Sequence, residues 1–244
     1  MGDSAERQTA PIRNGTAMKS DARLLLKEAA ALKRAKRYDE AVAMLRRAYD
    51  APTESPLMIQ ERLRLPMYLQ LAGRADEGWS EMNRLNITYV DQFSQVSIAA
   101  QMATFLRKEG KYKNAALFDI WTLCKKKEID VDIHASMVRS ADQTPARDAE
   151  WMALGLPPVP RTMKATGTTP SGNPIYDVSY PSVHRRLTEG YGPAGIRVAL
   201  GRYLAKMVAN VGIAAALADL ASYLATPPPY DLVSVRTILA KHLA

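Results

Sequence analysis

The chain has 244 residues, of which 47% are hydrophobic, and a formal net charge of +8. That apolar content suffices for an extended core, built either as one solenoid with an appended region or as two small domains. The single cysteine, Cys124, excludes an intrachain disulfide and favours a reducing compartment, so a cytoplasmic location is expected. The first twenty residues contain no apolar run, and neither a signal peptide nor an anchor is expected there. The most apolar stretch, Val208 to Leu224, is interrupted by Asn210, Gly212, Asp219 and Ser222 and reads as a buried helix, not a membrane span.

In chain order, residues 1–20 read as a flexible polar tail, with Ser20 as the cap of a helix that runs to Ala35. A second helix carries Ala41, Met44, Leu45 and Ala48 on one side, and Asp50 to Pro56 closes the hairpin. A second hairpin is expected from Leu57 to Ala72 and from Asp76 to Asn86, kinked by Pro66 in its first helix. A third spans Asp91 to Glu109 and Lys111 to Lys126. A shorter fourth pair, Asp132 to Arg139 and Thr144 to Leu154, is expected as a terminal cap, because Thr144-Pro145 suits an N-cap followed by proline at the first helical position. Residues 21–154 thus read as a helical-repeat domain and 155–192 as a proline-rich arm or short β-hairpin turning at Ser171 to Pro174. Residues 193–244 read as C-terminal helices, Pro193 to Ala209, Ile213 to Leu224 and Asp231 to Leu243, whose alanines permit close approach in a small bundle or an oligomer contact.

One pattern recurs at a constant interval of 37 residues: KRYDEAVAML from Lys36, GRADEGWSEM from Gly73 and GKYKNAALFD from Gly110. A fixed interval between a helix-breaking point and a small residue five positions on marks stacked helical hairpins. Over residues 21–126 these hairpins resemble the tetratricopeptide repeat family, whose second helix opens with Gly-x-Tyr-x-x-Ala, as at Lys36 to Ala41, Gly73 to Gly78 and Gly110 to Ala115. Ala29 and Ala103 resemble the family's small packing residue, and Leu32, Leu69 and Leu106 its large partner. Lys36 in place of glycine, Pro66 in place of a small residue, and Asp119 and Thr122 depart from the pattern.

The resemblance implies a mostly α fold, a solenoid of three to four helix pairs whose first helices line a concave groove. The register turns Leu26, Lys27, Lys33, Arg34, Leu63, Arg64, Gln101, Arg107 and Lys108 inward, a basic lining suited to an acidic protein segment.

The excess charge is concentrated in residues 161–206, where Arg161, Lys164, Arg185, Arg186, Arg197, Arg202 and Lys206 face only Asp177 and Glu189. An anionic partner would dock there, unless these cations pair with acidic faces of the solenoid. Tyr176, Tyr180, Tyr191 and Tyr203 interleave with them, a combination used in protein interfaces and in single-strand nucleic-acid binding.

Three catalytic or ligand-binding patterns read weaker than their structural alternatives. Gly190 to Gly195 has the letters GxGxxG, yet Pro193 removes an amide donor and no buried strand precedes it, which favours a glycine turn over a phosphate cradle. Asp130, Asp132 and His134 alternate like ligands but fall where the third hairpin is expected to end, which favours helix capping over a metal site. Ser182, His184 and Asp177 have triad letters without an elbow. Cys124 and His242 read as structural.

No catalytic residues, metal or cofactor are therefore expected. The reading is a protein-binding scaffold or adaptor, with a protein partner bearing an acidic segment and with self-assembly or a larger assembly open. A nucleic-acid-associated protein using residues 161–206 is the alternative, and an enzyme of unknown type the third.

Overall fold

The computed structural model describes residues 21–53, 55–157, 160–204 and 213–242, with the side chain of Arg202 excepted. The expected tail, Ser20, Lys206, Ala209 and Gly212 lie outside the described residues. The described residues are mostly helical with one two-stranded sheet. It divides into two compact units, one up to Gly78 and one from Trp79 onward, so that residues 79–154, 155–192 and 193–244 all belong to the second.

The first unit opens with α1 (Ala22–Arg34). Its cap is Asp21, one residue after the expected Ser20, and the Asp21 carboxylate accepts from the Arg23 amide at 2.9 Å. Helices α2 (Tyr38–Asp50), α3 (Ile59–Arg62) and α4 (Arg64–Leu71) follow. Ala22, Leu25, Leu26 and Ala29 meet Ala41, Val42, Leu45 and Ala48 at helical spacing, and Leu57, Leu65, Tyr68 and Leu69 complete the core. Leu26 and Leu63, expected on an open inward face, are only 3% and 5% exposed. In a continuous helix Pro66 would crowd the carbonyl of Arg62. The helix accordingly breaks at Leu63, and Pro66 becomes the third residue of α4, where a backbone N–H has no intrahelical partner to lose.

Helix α5 (Ala75–Thr88) comes next, then α6 (Gln92–Lys108), capped by Asp91, and α7 (Tyr112–Ala153). Three turns, α1 to α2, α4 to α5 and α6 to α7, share one geometry. Lys36, Gly73 and Gly110 have φ of 60°, 79° and 74°. The residue after each donates to the carbonyl five back: Arg37 to Leu32 at 3.0 Å, Arg74 to Leu69 at 2.9 Å, Lys111 to Leu106 at 2.9 Å. This left-handed closure satisfies carbonyls that a helix end otherwise leaves unpaired. The next helix begins at once, with Arg37 pairing Glu40 and Arg74 pairing Glu77, both at 2.6 Å. The 37-residue interval is therefore an interval between identical turns.

In the second unit α7 is 42 residues long. It runs on through the expected end at Lys126 and through Thr144-Pro145, so Asp132 to Arg139 and Thr144 to Leu154 are parts of one helix and not a separate pair. Asp130, Asp132 and His134 lie in its interior and not at a cap or on a strand. The two departures at Asp119 and Thr122 have local causes. Asp119 receives both oxygens' worth of hydrogen bonding from Arg107 on α6, at 2.9 and 2.7 Å, and the buried Thr122 hydroxyl donates to the Phe118 carbonyl at 2.7 Å.

The arm is a short antiparallel hairpin, β1 (Gly167–Thr168) and β2 (Pro174–Ile175), turning at Gly172 with φ 86°. Such a hairpin needs a surface, and α7 provides it. Ile175 and Tyr180 pack on Met137, Val138 and Ala141, while Asp142 accepts from Thr169 at 2.7 Å and Asn173 at 2.9 Å. The Tyr180 ring lies against Gly167, where a Cβ would come within 2.2 Å of it.

Helix α8 (Tyr180–Arg185) passes into a π-helical turn, Arg186–Gly190, and α9 (Pro193–Leu204) follows. The last elements are α10 (Ile213–Ala225) and α11 (Leu232–His242). Their core joins Ala116, Leu117, Ile120 and Cys124 of α7 to Ile196, Leu200, Leu217, Leu220, Val235 and Leu239. His242 and Lys241 both reach Asp219, at 2.7 and 2.9 Å, tying α11 to α10.

The repeated turns make a stability prediction. An added Cβ at Gly73 or Gly110 meets nothing within 4 Å, so only the left-handed backbone opposes it. Gly73→Ala or Gly110→Ala is expected to lower stability by about 1 kcal/mol, and Lys36→Gly to raise it by about 0.5–1 kcal/mol. Urea denaturation of the full chain checks both signs.

Candidate functional site

The structure sorts the expected contact residues into those already paired and those left to solvent. On the first unit, Lys27 and Arg34 are exposed on α1, and Lys33 and Arg64 are half-buried. Arg34 and Arg64 converge on Tyr68: burial pushes the Tyr68 hydroxyl up from its ordinary value, and the charges of Arg64 and Arg34 partly offset it. On α6, Gln101 is half-buried and Lys108 exposed. Arg107 is a different kind of residue. Its guanidinium grips Asp119 and also donates to the Thr104 hydroxyl at 3.0 Å, which makes it a clamp between α6 and α7.

The basic arm divides in the same way. Arg161 pairs with Asp148 at 2.7 Å and lies over the Tyr176 ring. Arg186 forks onto Asp130 at 2.7 and 2.6 Å. Lys164, Arg185 and Arg197 are exposed and pair with no carboxylate among the described residues. The side chain of Arg202 lies outside the described residues.

Asp130 is the most deeply placed carboxylate of this region, 4% exposed. It also accepts from the Tyr191 hydroxyl at 2.5 Å. Burial would raise its pKa, but the hydrogen bonds from Arg186 and Tyr191 and the Arg186 charge outweigh that and hold it below the usual carboxylate range. Burial, then Asp130 itself, pushes the Tyr191 hydroxyl far up, so it remains a proton donor. The trio fastens the π-helical turn to α7. Gly195 completes that junction, since a Cβ there would lie 1.7 Å from the Gly190 carbonyl oxygen. The GxGxxG letters therefore serve close packing of α9 on the preceding turn.

The other patterns resolve into local contacts. Ser182 donates to the Ser179 carbonyl at 2.8 Å, and Asp177 accepts from the Ser179 amide at 2.7 Å, so both shape the start of α8. His184 instead stacks with His134 at 5.9 Å and with Tyr180 at 5.5 Å between ring centroids. His134 Nε2 is buried without a hydrogen-bond partner. Burial, then the neighbouring His184, lowers the His134 pKa. Cys124 is buried in the core and its thiol is pushed up to about 12, chiefly by burial. Among the described residues no three His, Cys, Asp or Glu side chains gather as a metal site. Sequence reasoning missed the pairings of Asp130 with Arg186 and Tyr191 and of His134 with His184, each of which joins residues 50 or more positions apart, and it missed Trp79, Lys113 and Arg236, which line one cleft.

No known protein family, characterised protein or solved structure matches the chain.

Two predictions follow from these pairings. Arg186→Ser leaves a buried carboxylate with one partner fewer and is expected to cost about 1–2 kcal/mol, the lower part of the range for a charged hydrogen bond because Arg186 is 46% exposed. Arg185→Ser and Arg197→Ser should change stability by less than about 0.5 kcal/mol; thermal melting of the three variants distinguishes the sets. Because the folded chain keeps His134 neutral where the unfolded chain binds a proton, this contribution is complete above about pH 6.5 and is lost as pH falls through the lowered value. Melting should occur at lower temperature near pH 5.5 than near pH 7.5, and His134→Phe should flatten that dependence.

Proposed function

We propose that the chain is a helical-repeat adaptor, similar in its first half to tetratricopeptide repeat proteins, which binds an acidic segment of a protein partner. The observation that carries this reading is the recurrence of one left-handed turn at Lys36, Gly73 and Gly110, with the same backbone hydrogen bonds each time. A repeated hairpin is the unit from which partner-binding helical arrays are made. Within the first unit the partner's carboxylates would meet Lys27, Arg34 and Arg64, which no carboxylate of the described chain neutralises. Arg107 is removed from that set because Asp119 occupies it. A contact role of the arm would rest on Lys164, Arg185 and Arg197, since Arg161 and Arg186 are spent on Asp148 and Asp130. No described helix is long and apolar enough to cross a membrane, and a cytoplasmic location accords with the lone buried thiol.

The test is an affinity capture with the full chain at low and high salt, with and without nuclease, against the triple variant Lys27→Glu, Arg34→Glu, Arg64→Glu. A partner with an acidic segment should survive nuclease and be lost from the variant, by about tenfold or more in affinity, with helical content unchanged. Capture that depends on nucleic acid and on Lys164, Arg185 and Arg197 would replace this reading with a phosphate-binding one.

A further inference from the structure

One concavity of the second unit matches none of the surfaces above. A cleft of about 360 Å³ is lined by Trp79, Leu106, Leu117, Phe118 and Leu239, with Lys113, Asn114, Arg236 and Ala240 completing its wall. Its apolar part is anchored by neighbouring contacts. The Trp79 indole donates to Glu109 at 2.8 Å and meets the fully buried Phe105 edge-on at 4.8 Å. Leu106, Leu117 and Leu239 are 6%, 9% and 5% exposed and belong to the packed interior.

The polar part has one sign. Lys113 and Arg236 are exposed, and among the described residues no carboxylate pairs with either. Glu109, which reaches Trp79, already has Lys111 at 2.8 Å. Lys113 and Asn114 stand in the first turn of α7, where unpaired amides and the helix dipole add positive potential. An apolar cleft with two cations in its wall, neither paired with a carboxylate among the described residues, is complementary to an apolar body bearing one negative group.

We infer that this cleft binds a small apolar monocarboxylate, its chain or ring seated between Trp79, Phe118 and Leu239 and its carboxylate held by Lys113 and Arg236. The volume is near the low end of the roughly 300–1,000 Å³ span of ligand clefts, which suits a chain of about eight carbons or a single ring and excludes a two-chain lipid. The carboxylate is preferred over a neutral head because an uncharged group would leave both cations unpaired in the bound state. This inference is independent of the adaptor reading, as it uses none of Lys27, Arg34 or Arg64.

Calorimetric titration of the full chain with octanoate, 3-phenylpropionate and 1-octanol tests it. Octanoate or 3-phenylpropionate should bind saturably with Kd below about 1 mM, and octanol at least about tenfold more weakly. Lys113→Glu with Arg236→Glu should weaken carboxylate binding by about tenfold or more. Ala240→Trp, at an exposed position on the wall, should block the cleft and abolish binding without altering the melting temperature. The inference is overturned if neither acid binds up to about 10 mM, a range covering the weakest affinities of interest, if octanol binds as well as octanoate, or if the charge-reversed and blocked variants bind like the parent.

Discussion

A proline inside a helix deletes one backbone hydrogen bond and crowds the carbonyl four residues before it, at a cost of about 3 kcal/mol. The second unit depends on α7 running through Pro145 in spite of that cost. Interactions on both sides of the proline oppose it. Before Pro145, Met137, Val138 and Ala141 carry Ile175 and Tyr180, and Asp142 holds the hairpin turn through Thr169 and Asn173. After it, Asp148 receives Arg161. Were α7 to end at Ser140, the hairpin would lose the packing of Ala141 and the bonds of Asp142 to Thr169 and Asn173, and a two-stranded hairpin alone is marginal. The hairpin and the C-terminal half of α7 thus exist by virtue of each other.

The same helix gathers the remaining elements through buried polar ties. Asp130 fixes the π-helical turn through Arg186 and Tyr191. Two residues earlier, Glu128, 6% exposed, accepts from the Tyr230 amide at 2.9 Å and pairs with Lys125 at 2.8 Å. Each is a carboxylate taken out of water and then fully engaged, the condition under which a buried charge specifies geometry at tolerable cost. Spaced two residues apart along α7, they orient the segments before α9 and before α11 while the apolar core of Ile120, Ile196, Leu220 and Val235 supplies the attraction.

Which parts of this were legible in the sequence follows from the range of the interactions. The turns at Lys36, Gly73 and Gly110 are closed by bonds spanning five residues, so a local pattern revealed them; that Lys36, read as a departure, adopts a glycine's conformation was not legible. The break before Pro66 was equally local, although it came as a break at Leu63 and not as a kink. The extent of α7 was not legible, because Asp130 and Asp132 have the character of caps until their partners are known, and those partners, Arg186, Tyr191 and Gln92, lie 40 to 61 residues away. The cleft was hidden for the same reason: Trp79, Lys113 and Arg236 belong to three helices, and each alone is an ordinary amphipathic position.

Charge shows most clearly how composition and structure differ in what they say about binding. The sequence counts Arg107, Arg161 and Arg186 as contact cations, yet each is committed to a carboxylate within its own unit, at 2.7, 2.7 and 2.6 Å. Removing them from the surface reduces the local field near the arm but leaves separate small groups of cations that no described carboxylate pairs: Lys27, Arg34 and Arg64 on the first unit, and Lys164, Arg185 and Arg197 of the arm and Lys113 with Arg236 on the second. Exposed charges interact with a partner through solvent, where about 0.1 M salt screens them beyond roughly 10 Å, whereas a half-buried pair such as Arg107 and Asp119 is screened far less. Ionic strength therefore acts on the two classes differently. Raising it would weaken any partner contact made through the unpaired groups and leave the fold, which rests on the paired ones and on the apolar core, in place.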